Sequence, residues 1–207
     1  MPAVWVNLAL DMTHPDLEGL VGDTILDSFA FAGDSGMVAD VWAAGRHMVQ
    51  DGRHIRRDAI TTVQQSGEPL HFIGLLSDGN VHSHIDHLIA LLQHAAGEGV
   101  QRARVHILVD GRDVPGRSAL IYIDRLEQVL ANLSQGGRDY RIASGGGRMI
   151  VTMDRYEANW NMVDKGWHTH VLGEGDQFAS AAAAIETLRV RFPGTIDQDL
   201  PPFVIAL

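Results

Sequence analysis

From Leu70 onward, apolar positions alternate between short continuous runs and helical repeats. Leu70 to Leu76 is a short apolar run and predicts a buried strand. Ser77-Asp78-Gly79 follows with capping side chains and a turn glycine. Ile85, Leu88, Ile89, Leu92 and Ala96 then recur at helical spacing until Gly97 and Gly99 stop the pattern. Val105 to Val109 predicts a second buried strand, ending at Asp110-Gly111. A second helix starts near Ser118, with Leu120, Ile123, Leu126, Leu130 and Leu133 on one face, and Gly136-Gly137 ends it. Tyr140 to Ser144 predicts a third strand, followed by a turn at Gly145-Gly146-Gly147 and a short apolar run. Helices are expected around Glu157–Trp167 and Gln177–Val190, and a last strand after Pro201-Pro202. Repeated strand–helix–strand units predict an α/β fold of three layers, a mostly parallel sheet with helices on both faces.

The first sixty residues follow another pattern. Val4, Val6 and Leu8 alternate as in a strand, and Val38–Trp42 and His47–Val49 are short runs near the tight-turn pair Asp51-Gly52. Ile60 to Pro69 is polar, holds Gly67 and Pro69, and reads as a junction. The expected organisation is a β-rich segment over 1–62 and an α/β domain over 63–207.

Composition narrows the function classes. A net charge of −10 disfavours a nucleic-acid binder, because affinity for a phosphate backbone rests on clustered Lys and Arg. It leaves room for a small anion held by a few convergent arginines. The absence of cysteine excludes disulfides, thiol catalysis and cysteine-ligated zinc. Met1 to Leu10 has neither a basic region nor a small-residue cleavage site, so no signal peptide is expected there. No apolar run has the length of a membrane span, and a cytoplasmic protein without a membrane partner is expected.

In α/β sheets, ligands bind beyond the carboxyl ends of the strands. Three motifs fall there: Ser77-Asp78-Gly79-Asn80-Val81-His82-Ser83-His84, then Asp110-Gly111-Arg112-Asp113, then Gly145-Gly146-Gly147-Arg148 with Met153-Asp154-Arg155. Parallel strands would let Arg112, Arg148 and Arg155 converge on a phosphorylated acid through paired guanidinium donors. His82 would donate to a phosphoryl oxygen or exchange a proton. Plainer readings compete: His82 as a capping or solvated residue, Arg112 with Asp113 as a loop ion pair, Arg148 as a solvated loop charge. His82 and His84 have a metal-ligand spacing, with His87 nearby, but at a helix start they face different sides. His168 and His170 are expected at the surface, and the alanine-rich run from Ser180 to Ile185 in a core helix.

In this order the three motifs resemble those of cofactor-independent phosphoglycerate mutases. The likeness continues through Asn159-Trp160 to the ending Asp197–Ile205, about two thirds of the chain from residue 66 on. The resemblance implies a role in glycolysis, where this family interconverts 3-phosphoglycerate and 2-phosphoglycerate through a phosphoserine enzyme. Its phosphatase-like domain carries the nucleophile and two manganese ions, and an inserted domain holds the substrate. These residues resemble the inserted domain. By motif position His82, Arg112, Asp113, Arg148 and Arg155 match substrate contacts, with Asp113 placed to exchange protons with a glycerate hydroxyl.

The sequence also departs from the family. The nucleophile segment Asn-Ser-Glu-x-Gly-His, the metal-binding motifs and a later pair of substrate arginines are missing from the 207 residues. No complete catalytic set and no metal site is therefore expected in them. Asn80 stands where a glycine is common, and Asn161-Met162 where many members have Asp-Arg. Asp40 to His54 resembles instead the C-terminal β-segment of amidohydrolases, most closely formiminoglutamate deiminase. Together these resemblances imply a chimera. It would be a mutase substrate-binding domain without its catalytic half, or else a non-functional engineered fold. A metal-dependent amidohydrolase fragment is the third reading, disfavoured because no eight-stranded barrel is foreseen.

Overall fold

The structure is a computed structural model, and it describes residues 6–10, 13–22, 25, 38–43, 46–50, 53–54, 59–154 and 158–206. The chain divides into two units, Met1–Ala59 and Ile60–Leu207. In the first, β1 (Val6–Leu10), β2 (Val38–Ala43), β3 (Arg46–Gln50) and β4 (Arg53–His54) form an antiparallel sheet in sequence order. The expected turn at Asp51-Gly52 lies outside the described residues, but Gln50 pairs with Arg53 on either side of it.

The second unit starts with a helix where a polar junction was expected. Helix α1 (Ala59–Ser66) packs Ile60 and Val63 against the main core. Gly67, at φ +71, donates its N–H to the Val63 carbonyl and ends the helix. Then come β5 (Leu70–Leu76), α2 (Ile85–Gly97), β6 (Arg102–Val109), α3 (Ala119–Leu133) and β7 (Asp139–Gly147). The unit ends with α4 (Trp160–His170), β8 (Asp176–Phe178), α5 (Ala181–Arg191) and β9 (Phe203–Ile205). The sheet order is β5-β6-β7-β9-β8, parallel throughout except between β7 and β9. An α/β fold with a five-stranded, mostly parallel sheet and five helices is thus present.

The main core lies on one sheet face. Val105, Ile107 and Val109 of β6, with Phe203 of β9, meet Leu92 of α2, Ile123 and Leu126 of α3, and Ile185 and Leu188 of α5. Side chains alternate along a strand, so His106 and Leu108 face the other way. There Leu75, Leu108 and Val151 form a smaller cluster, and α4 packs on β7.

Two predicted boundaries move because side-chain caps start the helices later. The fourth helix starts only at Trp160, because the Asn159 side chain caps it by accepting from the Met162 N–H at 3.2 Å. The fifth starts at Ala181, capped by Ser180, and the preceding Asp176–Phe178 pairs with β9 as a strand. Gly145-Gly146-Gly147 is the end of β7 and not a turn. A Cβ at Gly145 would run into the Phe203 ring, one at Gly146 would come to 3.0 Å of Val151 Cγ2, and one at Gly147 would strike the Gln198 carbonyl. These glycines exist because later chain crosses close over the strand. Among the described residues no helix is long and apolar enough to cross a membrane.

Candidate functional site

The parallel register aligns three strand ends: Leu76 pairs with Val109, and Val109 with Gly147. The next residue after each is Ser77, Asp110 and Arg148, all buried. Asp110 joins them. Its Oδ1 accepts the backbone N–H groups of Gly111, Arg112 and Asp113 at 2.8, 3.0 and 3.2 Å, and Arg148 Nη1 at 3.0 Å. Its Oδ2 accepts the Ser77 hydroxyl at 2.8 Å. Burial alone would raise the Asp110 pKa, but the backbone donors and Ser77 outweigh it and hold the carboxyl at about 2.

Arg148 is 5% exposed, and its Nη1 donates also to Asp113 Oδ2 at 2.5 Å. Burial disfavours the cation, yet the carboxylates of Asp113 and Asp110 more than offset that and raise its pKa. Asp113 therefore pairs with Arg148 and not with its neighbour Arg112. Gly79 lies so close to Asp113 that a Cβ there would come to 2.8 Å of the Asp113 Cβ, which ties the first motif to the second. Asp78 accepts the Tyr122 hydroxyl at 2.6 Å, and burial together with this bond raises the phenol pKa. Asn80 has φ +55, a left-handed conformation that asparagine tolerates better than most residues, which is why a glycine also suits the position.

His82, Arg112, Arg148, Met149, Met153 and Asp154 line one cleft of about 420 Å³. His82 and Arg112 are exposed, and neither side chain has a hydrogen-bond or ion-pair partner among the described residues. Asp154 is occupied by the backbone N–H groups of Ala158 and Asn159, at 3.0 and 2.9 Å. Arg155 lies outside the described residues. Just before it, Thr152 has φ +69, a strained conformation for a β-branched residue. Its N–H donates to the Met162 carbonyl, and Gly166 leaves the space it needs against α4.

The other histidines separate by environment. His84 is the N-cap of α2, its Nδ1 accepting the Asp86 N–H at 3.1 Å. His168 is exposed beside Glu174 and Asp164. His170 corrects the surface expectation: it is half-buried under the sheet, with its Nδ1 2.8 Å from Ser144 Oγ. Among the described residues no group of three or more His, Asp or Glu is arranged to hold a metal ion. Asp110, the residue that links all three motifs, stands in the sequence as the first member of Asp110-Gly111-Arg112-Asp113 with no role of its own. Its signal was its place as the first residue past a strand, level with Ser77 and Arg148.

Comparison with known proteins bears on this geometry. Residues 46–207 match the family model described as "BPG-independent PGAM N-terminus". A probable 2,3-bisphosphoglycerate-independent phosphoglycerate mutase of Leptospira interrogans is 55% identical over 150 residues, covering 72% of this chain and 27% of that protein. The 2,3-bisphosphoglycerate-independent phosphoglycerate mutase of Trypanosoma brucei brucei is 49% identical over 170 residues, 82% of this chain and 30% of that protein. Among solved structures, Leishmania mexicana phosphoglycerate mutase at low cobalt concentration superposes with a TM-score of 0.71 at 48% identity. That match covers 73% of this chain and 28% of the other. The chain thus spans under a third of the length of these relatives. The comparisons give no support to an amidohydrolase origin or to a chimera, because the mutase family model already begins at Arg46, inside the stretch Asp40–His54. The chain belongs to the BPG-independent phosphoglycerate mutase family and represents its N-terminal region.

Proposed function

We propose that the Ile60–Leu207 unit holds a phosphorylated hydroxy acid, 3-phosphoglycerate or 2-phosphoglycerate, in the cleft beyond β5, β6 and β7. The observation that carries this reading is the meeting of His82, Arg112 and Arg148 in one cleft from three separate motifs. Its volume of about 420 Å³ suits a small ligand. Among the described residues of the cleft, Arg112 is the arginine without an ion-pair partner, and it makes the first contact with the anion. Arg148 is already engaged by Asp110 and Asp113, so it forms the wall and fixes Asp113 for proton exchange with a glycerate hydroxyl. His82 donates to a phosphoryl oxygen, and Arg155 adds a second clamp. The unit then has three layers, with α2, α3 and α5 on one face of the sheet and α4 on the other.

These residues bind and orient but do not by themselves transfer the phosphoryl group. The described residues do not fit a metal site, since Asp110, Asp154 and His84 are committed to backbone and side-chain donors. A cytosolic setting with no nucleic-acid or membrane partner belongs to the same proposal.

Titration with 3-phosphoglycerate followed by NMR, at low and high salt, tests it. The expected affinity is on the order of millimolar. One charge-assisted hydrogen bond is worth roughly 1.5–3 kcal/mol, so Arg112→Ala should weaken binding about tenfold to a hundredfold. Salt should weaken it too, because an open site is screened. A parent chain showing no shifts near His82, Arg112 and Arg148 would sink the proposal.

A further inference from the structure

On the sheet face opposite the main core, four polar side chains from four elements are linked in a row. His71 of β5 has Nδ1 2.9 Å from Nε2 of His106 on β6. His106 Nδ1 is 2.6 Å from the hydroxyl of Ser144 on β7. That hydroxyl is 2.8 Å from Nδ1 of His170, the last residue of α4. The His71 and His106 rings stack with centroids 5.2 Å apart, and the His170 ring meets His106 edge-on at 5.5 Å. His71 is exposed, His106 and Ser144 are buried, and His170 Nε2 is buried with no hydrogen-bond partner.

Counting hydrogens assigns a direction to this row. Each of the three contacts needs one hydrogen. If donation runs from His170 Nδ1 to Ser144, from Ser144 to His106 Nδ1, and from His106 Nε2 to His71 Nδ1, every buried hydrogen is used. Only a bare lone pair remains at His170 Nε2. The opposite direction puts an unpartnered N–H at that buried atom, and orphaned buried donors are the rarer and costlier defect. An added proton removes the choice. On His71 Nδ1 it forces His106 to donate towards Ser144. On His106 it does the same, and on His170 it lands directly at Nε2. In every case a buried donor is left without an acceptor, at His170 Nε2 or at the Ser144 hydroxyl.

Among the described residues none lies within hydrogen-bond distance of His170 Nε2 to take up such a donor. The bordering cleft, about 360 Å³, is lined from β6 by Arg104, from α4 by Thr169, from β9 by Val204, and beyond α4 by Val171 and Leu172. Arg104 is the one fixed charge among them, and it is held by Asp139 at 2.6 Å. Burial, with the neighbouring imidazoles, pushes His106 down to about 4, and burial pushes His170 to about 4 as well, which agrees with a row built to stay neutral.

We propose that His71, His106, Ser144 and His170 form a proton-sensitive latch, which fastens α4 to the sheet when neutral and releases it when a proton enters the row. The release reaches the cleft of the other edge through α4. The Met162 carbonyl holds the Thr152 N–H, Gly166 packs on Thr152, and the next residues, Met153 and Asp154, line that cleft. The latch does not depend on which anion the cleft takes.

The test uses the whole 207-residue chain. Long-range nitrogen–carbon NMR of the histidine rings reads tautomer and charge from pH 7.5 to 4, and amide exchange with mass spectrometry reads α4. At neutral pH, His170 should carry its hydrogen on Nδ1 and His106 on Nε2. Both should take up protons well below the exposed His168, in one step with a loss of α4 protection of about tenfold or more, while α3 stays protected. Ser144→Ala should open α4 already at neutral pH. Should that variant not fold, His71→Ala at the exposed end serves instead, and the step should move up towards the ordinary histidine value of 6.5. The latch is refuted if His170 titrates together with His168. It is equally refuted if α4 protection is unchanged across the titration, or if His71→Ala leaves the step where it was.

Discussion

Replacing Asp110 by asparagine perturbs the candidate site at its most connected point. The amide has the shape of the carboxylate and keeps one oxygen for the backbone donors of Gly111, Arg112 and Asp113. Ser77 can turn its hydroxyl to accept from the new amide. What cannot be restored is the negative charge beside Arg148, 3.0 Å away. Two routes give its worth. The carboxyl is held at about 2 against an ordinary 3.8, and at roughly 1.4 kcal/mol per pH unit the charged form is favoured by about 2.5 kcal/mol. Truncating one partner of a buried ion pair costs about 3–5 kcal/mol, and the low end applies because Asp113 still faces Arg148. A loss of about 2–3 kcal/mol should lower the urea midpoint by about 1–1.5 M. The sign with pH follows from the depressed value. The stabilisation is complete well above 3.8 and is lost as pH falls through about 2, with roughly half gone near pH 3. Urea unfolding of parent and variant, followed by circular dichroism at pH 7 and pH 3, reads both effects. Midpoints within about 0.3 M at pH 7 would refute the assignment. So would a gap at pH 3 as wide as at pH 7.

The buried histidines predict a separate acid sensitivity. His106 and His170 sit near 4 in the folded chain against 6.5, so their contribution is complete above 6.5 and is lost as pH falls through about 4, approaching roughly 3 kcal/mol each. Stability flat between pH 6.5 and 5, above the carboxylate range, would contradict this. Gly147→Ala should cost about 3 kcal/mol or more, because its Cβ would strike the Gln198 carbonyl, whereas Gly136→Ala, at φ +76 in open space, should cost about 1 kcal/mol. Equal shifts in thermal midpoint for the two variants would show that the close approach over β7 is not what requires a glycine.

Much of the fold was legible because periodicity reports which side of an element is buried. The runs at Leu70–Leu76 and Val105–Val109, and the helical repeats after each, lie where the pattern puts them, but β5 is an edge strand and only its Leu75 and Leu76 are buried as expected. What the pattern misses depends on partners far along the chain. Helix α1 has only Ile60 and Val63 to mark it, amid Thr61-Thr62 and Gln64-Gln65, and it is docking on the core that supports so short a helix. The glycines of β7 read as a turn because a run of three usually is one. The reason for them comes from Gln198 and Phe203, more than fifty residues later. His170 reads as a surface residue within His-Thr-His, and nothing local announces that His106 and Ser144 wait beneath it.

The candidate site was legible as a set of motifs but not as an arrangement of charge. The second and third motifs offer arginines that read as exposed, and a clamp of several free guanidinium groups follows naturally from them. The register changes that picture. Ser77, Asp110 and Arg148 are each the first residue past a strand, and parallel pairing at Leu76, Val109 and Gly147 makes them neighbours. A hydroxyl, a carboxylate and a guanidinium brought together out of water satisfy one another, and that mutual neutralisation is why all three tolerate burial. The cost of burying Arg148 is offset by Asp110 and Asp113, so its charge is largely spent inside the protein before any ligand arrives. Arg112, whose backbone N–H is bonded to the same Asp110, is left among the described residues as the arginine that faces the cleft without an ion-pair partner. The ordering of the loop and the availability of its charge therefore come from one side chain, and the two should fail together when all its oxygens are removed, as in Asp110→Ala.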